Sequence, residues 1–121
     1  MAKRVLLVDD AAFMRMMLKD IFTQGGYEVV GEAGDGQEGV DAFRALRPDF
    51  VTLDIVMPNM DGLQALKAIL QEDPTATAIM VSAMGQDALM QEASDAGAKG
   101  FIVKPFHPQA VLETVQAAVG V

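Results

Sequence analysis

Cysteine is absent from the 121 residues of the sequence, and this absence removes several kinds of chemistry. A chain without thiols has no disulfides, no thiolate metal site and no cysteine nucleophile, and it is compatible with a reducing compartment. Long apolar runs are also missing, since no stretch approaches the ~20 residues that a membrane-spanning helix needs. The first residues lead directly into a strand-like segment instead of a signal peptide. We therefore expect a cytoplasmic protein.

Basic residues are few: 9 Lys and Arg stand against 17 Asp and Glu, which gives a formal net charge of −8. Such a surface repels nucleic-acid backbones and anionic membranes, so we expect neither as a partner. Metal cations and basic or neutral protein surfaces fit it better. With 51% hydrophobic residues, the chain can bury a core as one globular domain over residues 1–121. This length leaves no room for a second module, and we expect a monomer that acts through partner proteins.

Five short apolar segments rich in Val, Ile and Leu predict buried strands. These segments are Val5–Val8, Val29–Val30, Phe50–Leu53, Ile79–Val81 and Phe101–Val103. Stretches with helical spacing follow them, and turn residues mark the helix boundaries. The boundaries are Gly25-Gly26, Arg47-Pro48-Asp49, Asp73-Pro74 and Gly97 for the first four helix ends, and Pro108 for the start of the fifth helix. The pattern predicts an α/β fold, a doubly wound five-stranded parallel sheet of flavodoxin-like (βα)5 topology and strand order 2-1-3-4-5.

Three carboxylates directly follow strands of this predicted sheet: Asp9 and Asp10 after the first, and Asp54 after the third. In the order 2-1-3-4-5 these two strands are neighbours, and ligands bind in the crevice between their carboxyl ends. Crowded carboxylates resist full ionisation, and a bound cation relieves their repulsion. Hard oxygen ligands favour Mg²⁺, with Mn²⁺ as a substitute. Helix capping explains a single Asp in a turn, but it explains adjacent Asp9 and Asp10 opposite Asp54 poorly.

Two further polar residues follow the remaining strands, Ser82 after the fourth and Lys104 after the fifth. Taken singly, such a serine is usually a turn residue and such a lysine an exposed one. Together they would point into the same crevice as the carboxylates. A carboxylate that attacks phosphorus needs positive charge and hydrogen-bond donors around the phosphoryl oxygens. Lys104 and Ser82 would supply them, and the set therefore indicates a phosphoryl-acceptor site.

These residues lie in short motifs that have a characteristic order. The motifs are Asp9-Asp10, Asp54-Ile-Val-Met-Pro with Asp61-Gly62, Ser82-Ala83 and Lys104-Pro105-Phe106. In this combination the chain resembles, over its whole length, the receiver domains of two-component response regulators. The segment Asp-Asp-Ala-Ala-Phe-Met-Arg-Met-Met, which starts at Asp9, is further similar to stand-alone chemotaxis regulators from outside the enteric bacteria.

The resemblance implies a role for each acidic residue of the site. Asp54 would be the phosphoacceptor. Asp10 and Asp54 would bind Mg²⁺ directly, and Asp9 would act largely through water. Val56 would add its backbone carbonyl to the metal.

The resemblance also implies the parts of a switch. Ser82 would be the switch hydroxyl and Lys104 the phosphate-binding lysine. The Lys104–Pro105 peptide would be cis, which proline makes energetically accessible. Phe101 would be the switch aromatic. Many receivers carry tyrosine at that position. Phenylalanine has no phenolic hydroxyl, so here the switch would act only through the packing of the ring.

Partners follow from the resemblance as well. The phosphoryl donor would be a phosphohistidine on a histidine kinase of the chemotaxis type (CheA-like). The output would be binding to a flagellar-motor switch protein (FliM-like) through the fourth helix, fifth strand and fifth helix. The chain itself would not be an enzyme, beyond catalysing its own phosphorylation and slow dephosphorylation.

Two apolar residues bear on the lifetime of the phosphorylated state. Val56 lies two residues beyond Asp54, and Met84 lies two residues beyond Ser82. By resemblance both side chains stand where hydrolytic water approaches the phosphoryl group. Apolar side chains can cover that approach but cannot orient the water. We therefore expect slow self-dephosphorylation and a separate phosphatase partner.

One methionine is a candidate for partner contact. In the fourth helix Leu89, Ala93 and Ala96 form an inward row, and Met90 lies beside that row. An apolar residue placed this way can contact a partner, although single exposed apolar residues are also common without one.

Other functions remain open at this point. A stand-alone receiver in a relay outside chemotaxis has the same motifs. A Mg²⁺-dependent phosphatase that forms an aspartyl phosphate usually has a second Asp where this chain has Val56, which removes the acid–base group. A flavodoxin must cradle a phosphate after its first strand, where Asp9 and Asp10 would repel it. A receiver that binds partners without phosphorylation would not need the complete set of site residues.

Overall fold

The computed structural model describes residues 2–83 and 85–119, and within them strands and helices alternate along the chain. The strands are β1 (Arg4–Val8), β2 (Glu28–Ala33), β3 (Phe50–Asp54), β4 (Ala78–Ser82) and β5 (Gly100–Val103). The helices are α1 (Ala12–Gln24), α2 (Gly36–Leu46), α3 (Gly62–Glu72), α4 (Asp87–Ala96) and α5 (Pro108–Val119). None of these helices is long and apolar enough to cross a membrane.

All strand pairs are parallel, and the strands lie in the order β2-β1-β3-β4-β5. The predicted order is therefore confirmed. In the register of β1 with β3, Val8 lies beside Leu53. In the register of β4 with β5, Ser82 lies beside Val103. The next residues along the chain, Asp9 and Lys104, therefore leave the sheet at the edge where β3 ends.

Side chains of each strand alternate between the two faces of the sheet, which produces two separate cores. In β1, Leu6 and Val8 face one side, whereas Val5 and Leu7 face the other. The first side is covered by α2, α3 and α4, and we call it the α2–α4 core. The second is covered by α1 and α5, and we call it the α1–α5 core. Helix residues buried in the α2–α4 core include Val40, Phe43, Leu63, Leu66, Ile69 and Ala93, and those in the α1–α5 core include Leu18, Phe22, Val111 and Val115.

Most predicted boundaries agree with the structure. Gly25 follows α1, Arg47 ends α2 in the left-handed region at φ 47°, and Gly97 ends α4 at φ 118°. Asp73 follows α3, and Pro108 is the first residue of α5.

The second strand is longer than predicted, because the apolar pair Val29–Val30 is only part of Glu28–Ala33. This strand lies at the edge of the sheet and is largely half-exposed, so polar and small residues occur in it and interrupt the apolar run. Asp54 and Ser82 are the last residues of β3 and β4, whereas the sequence placed them just after these strands.

Candidate functional site

Three carboxylates lie together at the carboxyl ends of β1 and β3. One oxygen each of Asp9, Asp10 and Asp54 lies within 4.8 Å of the other two. Asp9 and Asp54 are buried, with 1% and 6% of their surface exposed, whereas Asp10 is exposed. Burying two carboxylates side by side costs free energy unless positive charge compensates them.

Lys104 supplies part of this compensation. Its Nζ donates a hydrogen bond of 3.1 Å to Asp54 Oδ2 and lies 3.6 Å from Asp9 Oδ2. The Lys104 backbone N–H also donates to the carbonyl oxygen of Ser82 at 2.8 Å, which fixes the residue to the end of β4. The predicted cis peptide is present between Lys104 and Pro105.

The ionisation of Asp54 reflects these neighbours. Burial raises the pKa of its carboxyl above the ordinary value, and the charge of Asp9 raises it further. The Lys104 ammonium lowers the same pKa through its charge and its hydrogen bond, and the Val56 backbone N–H lowers it slightly more. Because the raising effects prevail, one ammonium does not fully offset two buried carboxylates. The cluster therefore favours binding a further cation.

The donor set suits a hard divalent cation. Asp9 Oδ1 accepts a hydrogen bond of 2.8 Å from the backbone N–H of Ala11, while Asp9 Oδ2 is buried and has no hydrogen-bond donor in the described part of the chain. An oxygen in this state is free to bind a metal or a metal-bound water. Carboxylate oxygens suit Mg²⁺, which binds proteins through a small number of carboxylates and keeps several of its waters.

Ser82 and Phe101 lie on neighbouring strands, Ser82 at the end of β4 and Phe101 beside Met80 in β5. Ser82 is fully buried, and its Oγ has no hydrogen-bond partner among residues 2–83 and 85–119. Phe101 in β5 is partly buried and packs against the α2–α4 core. Val56, two residues beyond Asp54, is 57% exposed. Met84 lies outside the described residues.

Met90 lies closer to the core than its spacing predicts. It is partly buried and packs against the α2–α4 core together with Leu89, so the inward row of α4 extends to it. An unbranched thioether side chain can bend toward the core from such a position. Part of the Met90 surface stays exposed, so contact between Met90 and a partner remains a prediction.

Arg15 is a site residue that the sequence pattern does not indicate. One of its terminal guanidinium nitrogens donates to the backbone carbonyl of Asp9, and its Nε lies 3.0 Å from Glu32 Oε1. It therefore connects the end of β1 with β2 and brings positive charge near the carboxylates. The contacts join three separate elements, so the spacing of residues within one element does not predict them.

The comparisons with known proteins agree with this geometry. A family model described as the response regulator receiver domain matches residues 5–116. The chemotaxis protein CheY of Thermotoga maritima is 60% identical over 115 residues, which are 95% of this chain and 96% of that protein. CheY of Bacillus subtilis is 56% identical over 115 residues, with 95% and 96% of the two chains covered. A chain in the crystal structure of the CheX-CheY-BeF3-Mg+2 complex from Borrelia burgdorferi is similar with a TM-score of 0.91 and 41% identity, covering 95% of this chain and 87% of that chain.

The chain therefore belongs to the response regulator receiver domain family, whose members are signalling proteins switched by phosphorylation. Receivers bind Mg²⁺ at an acidic pocket, and the cluster of Asp9, Asp10 and Asp54 has that composition. Within the family, the relatives place it with the CheY-type regulators of chemotaxis.

Proposed function

We propose that this chain accepts a phosphoryl group on Asp54 from the phosphohistidine of a chemotaxis-type histidine kinase and then binds a flagellar-motor switch protein. The single observation that carries the proposal is the 3.1 Å contact of Lys104 Nζ with Asp54 Oδ2 inside a cluster of three carboxylates. A nucleophile with a cation already beside it is prepared for a group that carries negative charge. The CheY relatives support the kinase and the motor as partners.

Each site residue has a defined task in this proposal. An Asp54 carboxylate oxygen forms a bond to phosphorus as the bond from phosphorus to the donor nitrogen breaks. Lys104 pairs with the phosphoryl oxygens, and the Ser82 hydroxyl donates a hydrogen bond to them. Asp9, Asp10, Asp54 and the Val56 backbone carbonyl would hold Mg²⁺. When bound, Mg²⁺ neutralises the charge that gathers on the phosphoryl oxygens during transfer.

The switch rests on Ser82 and Phe101. The Ser82 hydroxyl is buried and has no partner among the residues that the structure describes, so an acceptor that arrives at Asp54 gives it a new hydrogen bond. We propose that a shift of the Ser82 side chain toward this acceptor changes the space available to the Phe101 ring, which is only partly buried in β5. Because the Phe101 ring lies on the face of the sheet that α4 covers, and α5 packs against β5 from the other face, we propose that the outer surface of α4, β5 and α5 is where the partner distinguishes the two states.

We expect Mg²⁺ to raise the melting temperature of the unphosphorylated protein, and Mg²⁺ with beryllofluoride to raise it further. A ligand that binds only the folded chain stabilises it by RT ln(1 + [L]/Kd), which is about 2.7 kcal/mol at a hundredfold excess over Kd. Beryllofluoride mimics the phosphoryl group on a carboxylate, so it tests the same site without a kinase. Thermal unfolding with each addition measures the shifts, and capture of the motor switch protein with and without beryllofluoride measures the output.

Asp10→Ala is the control for the metal. This residue is exposed, so its removal leaves both cores intact, and we expect most of the Mg²⁺ shift to disappear. An undiminished shift in Asp10→Ala places the metal elsewhere. Equal capture of the motor switch protein with and without beryllofluoride contradicts the proposed switch.

We expect Val56→Asn to shorten the lifetime of the phosphorylated state. The Val56 side chain is 57% exposed beside Asp54 and can cover the approach of water, whereas an amide can also orient it. One oriented-water contact of ~1.4 kcal/mol corresponds to about tenfold in the rate of hydrolysis. Release of inorganic phosphate at fixed Mg²⁺ measures that rate.

Val56→Ala is the matched control, since it opens the approach without adding a polar group. A rate for Val56→Asn equal to that of wild type means that this side chain does not set the lifetime. Equal acceleration by both variants means that shielding matters and orientation of water does not. A wild type that already loses phosphate rapidly removes the reason to expect a phosphatase partner.

A further inference from the structure

The loop that follows Asp54 is joined by hydrogen bonds to the turn before α2. We call residues 55–61 the β3–α3 loop and residues 34–35 the β2–α2 turn. The Asn59 side-chain amide donates a hydrogen bond of 2.9 Å to Asp35 Oδ2. One residue further, the backbone carbonyl of Met60 accepts a hydrogen bond of 2.9 Å from the N–H of Gly36, the first residue of α2. Two consecutive residues of the loop are therefore fixed to the start of α2.

Asp35 uses its two carboxylate oxygens for two different segments. Oδ1 accepts from the backbone N–H of Glu38 at 2.8 Å and so caps the first turn of α2. Oδ2 holds the amide of Asn59. The Glu38 N–H and then the Asn59 amide are the largest causes that lower the pKa of Asp35 below its ordinary value, so the side chain stays ionised in this role.

Asn59 is suited to the same role by its backbone. Its φ is 65°, in the left-handed region that asparagine tolerates better than most residues. The backbone turns at this residue, and its amide lies 2.9 Å from Asp35 Oδ2. The side chain of Asn59 is otherwise exposed, so the hydrogen bond is the main contact that its amide makes.

The inner part of the loop is held differently. Ile55 and Met57 are buried, and the carbonyl of Ile55 accepts a hydrogen bond of 2.8 Å from the N–H of Gly62. Val56 stands between these two buried residues with an exposed side chain. The loop that contains Val56 is thus held by core packing at Ile55 and Met57 and by the Asp35–Asn59 hydrogen bond further along.

We propose that Asp35 and Asn59 are positioning residues: their hydrogen bond holds the β3–α3 loop in the geometry that binds Mg²⁺ and the phosphoryl group. The inference rests on the proposed function, in which the Val56 carbonyl and Asp54 both face the metal. Neither residue of the pair is a ligand in the proposed metal site. Both lie at the surface, where loss of one hydrogen bond loosens a loop without unfolding the domain.

Two substitutions remove the bond while keeping the local backbone. Asn59→Gly retains a residue that accepts φ 65° but removes the amide. Asp35→Ser retains an oxygen that caps the Glu38 N–H but removes the oxygen that holds Asn59. Residues that orient metal ligands typically change affinity by tenfold or more, so we expect each variant to weaken Mg²⁺ binding about tenfold. Isothermal titration of the full chain with Mg²⁺ measures this, while the melting temperature without metal should change little.

The double variant and an exchange variant separate positioning from a general effect. Because both single variants break the same bond, Asn59→Gly with Asp35→Ser should bind Mg²⁺ no more weakly than the weaker single variant. Asp35→Asn combined with Asn59→Asp exchanges donor and acceptor at constant net charge, and we expect it to restore affinity that Asn59→Asp alone loses. Asp41→Asn, which removes one exposed charge from the same helix, should bind Mg²⁺ within about twofold of wild type.

The outcomes distinguish the inference from the proposed function. If wild type binds Mg²⁺ and both single variants bind it equally well, the positioning role is overturned. Additive losses in the double variant, or no recovery in the exchange variant, overturn the pairing of these two residues. If wild type itself binds no Mg²⁺ in the titration, the proposed function fails first.

Discussion

Asp54→Asn is expected to abolish phosphorylation by acetyl phosphate. The carboxylate is the nucleophile in the proposed reaction, and an uncharged amide oxygen cannot replace it. Incubation with acetyl phosphate and Mg²⁺, followed by intact-mass measurement, should show one phosphoryl group on wild type and none on the variant. The variant should also fail to capture the motor switch protein under these conditions.

This loss is separable from a loss of the fold. Asp54 is buried beside Asp9, and both the burial and that charge raise its pKa, so removing its charge relieves repulsion. We therefore expect the metal-free variant to melt no lower than wild type. Asp95→Asn, on the exposed surface of α4, is the charge-matched control and should accept a phosphoryl group normally. Full phosphorylation of Asp54→Asn would mean that another residue is the acceptor.

Gly62→Ala is expected to destabilise the protein strongly, because a Cβ at this position would meet backbone atoms. It would lie 2.0 Å from the Asp54 carbonyl oxygen and 2.9 Å from Ile55 Cα. Neither atom can move without shifting the end of β3. Overpacking against atoms that cannot yield costs about 3 kcal/mol. For a domain of this size that lowers the melting temperature by about 10 °C.

Gly34→Ala is the matched control in the adjacent β2–α2 turn. Its added Cβ would meet only the Glu38 Oε1 atom, at 3.7 Å, so the free energy of unfolding should change by no more than about 0.5 kcal/mol. Urea unfolding of the three proteins measures the difference. A Gly62→Ala variant as stable as Gly34→Ala would contradict the close approach of α3 to the end of β3.

The strand ends were the part of the site that the sequence predicted well. Val, Ile and Leu runs identify buried parallel strands, and the topology brings the residues after them to one edge of the sheet. Asp9, Asp54 and Lys104 could be placed together for this reason before any contact was known. Strand β2 was predicted too short because an edge strand is only partly buried, so its apolar pattern is incomplete.

The contacts that hold the site rigid could not be predicted in the same way. The Arg15 bonds to Asp9 and Glu32 and the Asp35–Asn59 bond join different strands, helices or loops. Each depends on the direction of individual side chains, and periodicity carries no information on that. Met90 illustrates the same limit, since its spacing in α4 did not reveal that it packs against the core.

Strands β3 and β5 differ in burial, so we expect their backbones to open to solvent in different ways. Every residue of β3 is buried, and the strand lies at the centre of the sheet. Strand β5 lies at an edge, with Val103 44% exposed and only Ile102 buried. Amide protons of a central strand exchange with solvent mainly through global unfolding, whereas those of an edge strand also exchange through local opening. The proposed phosphoacceptor Asp54 thus lies on a fully buried strand and Phe101 on a partly exposed one, so we expect a chemical change at Asp54 to move the backbone of β5 at a lower cost in free energy than that of β3.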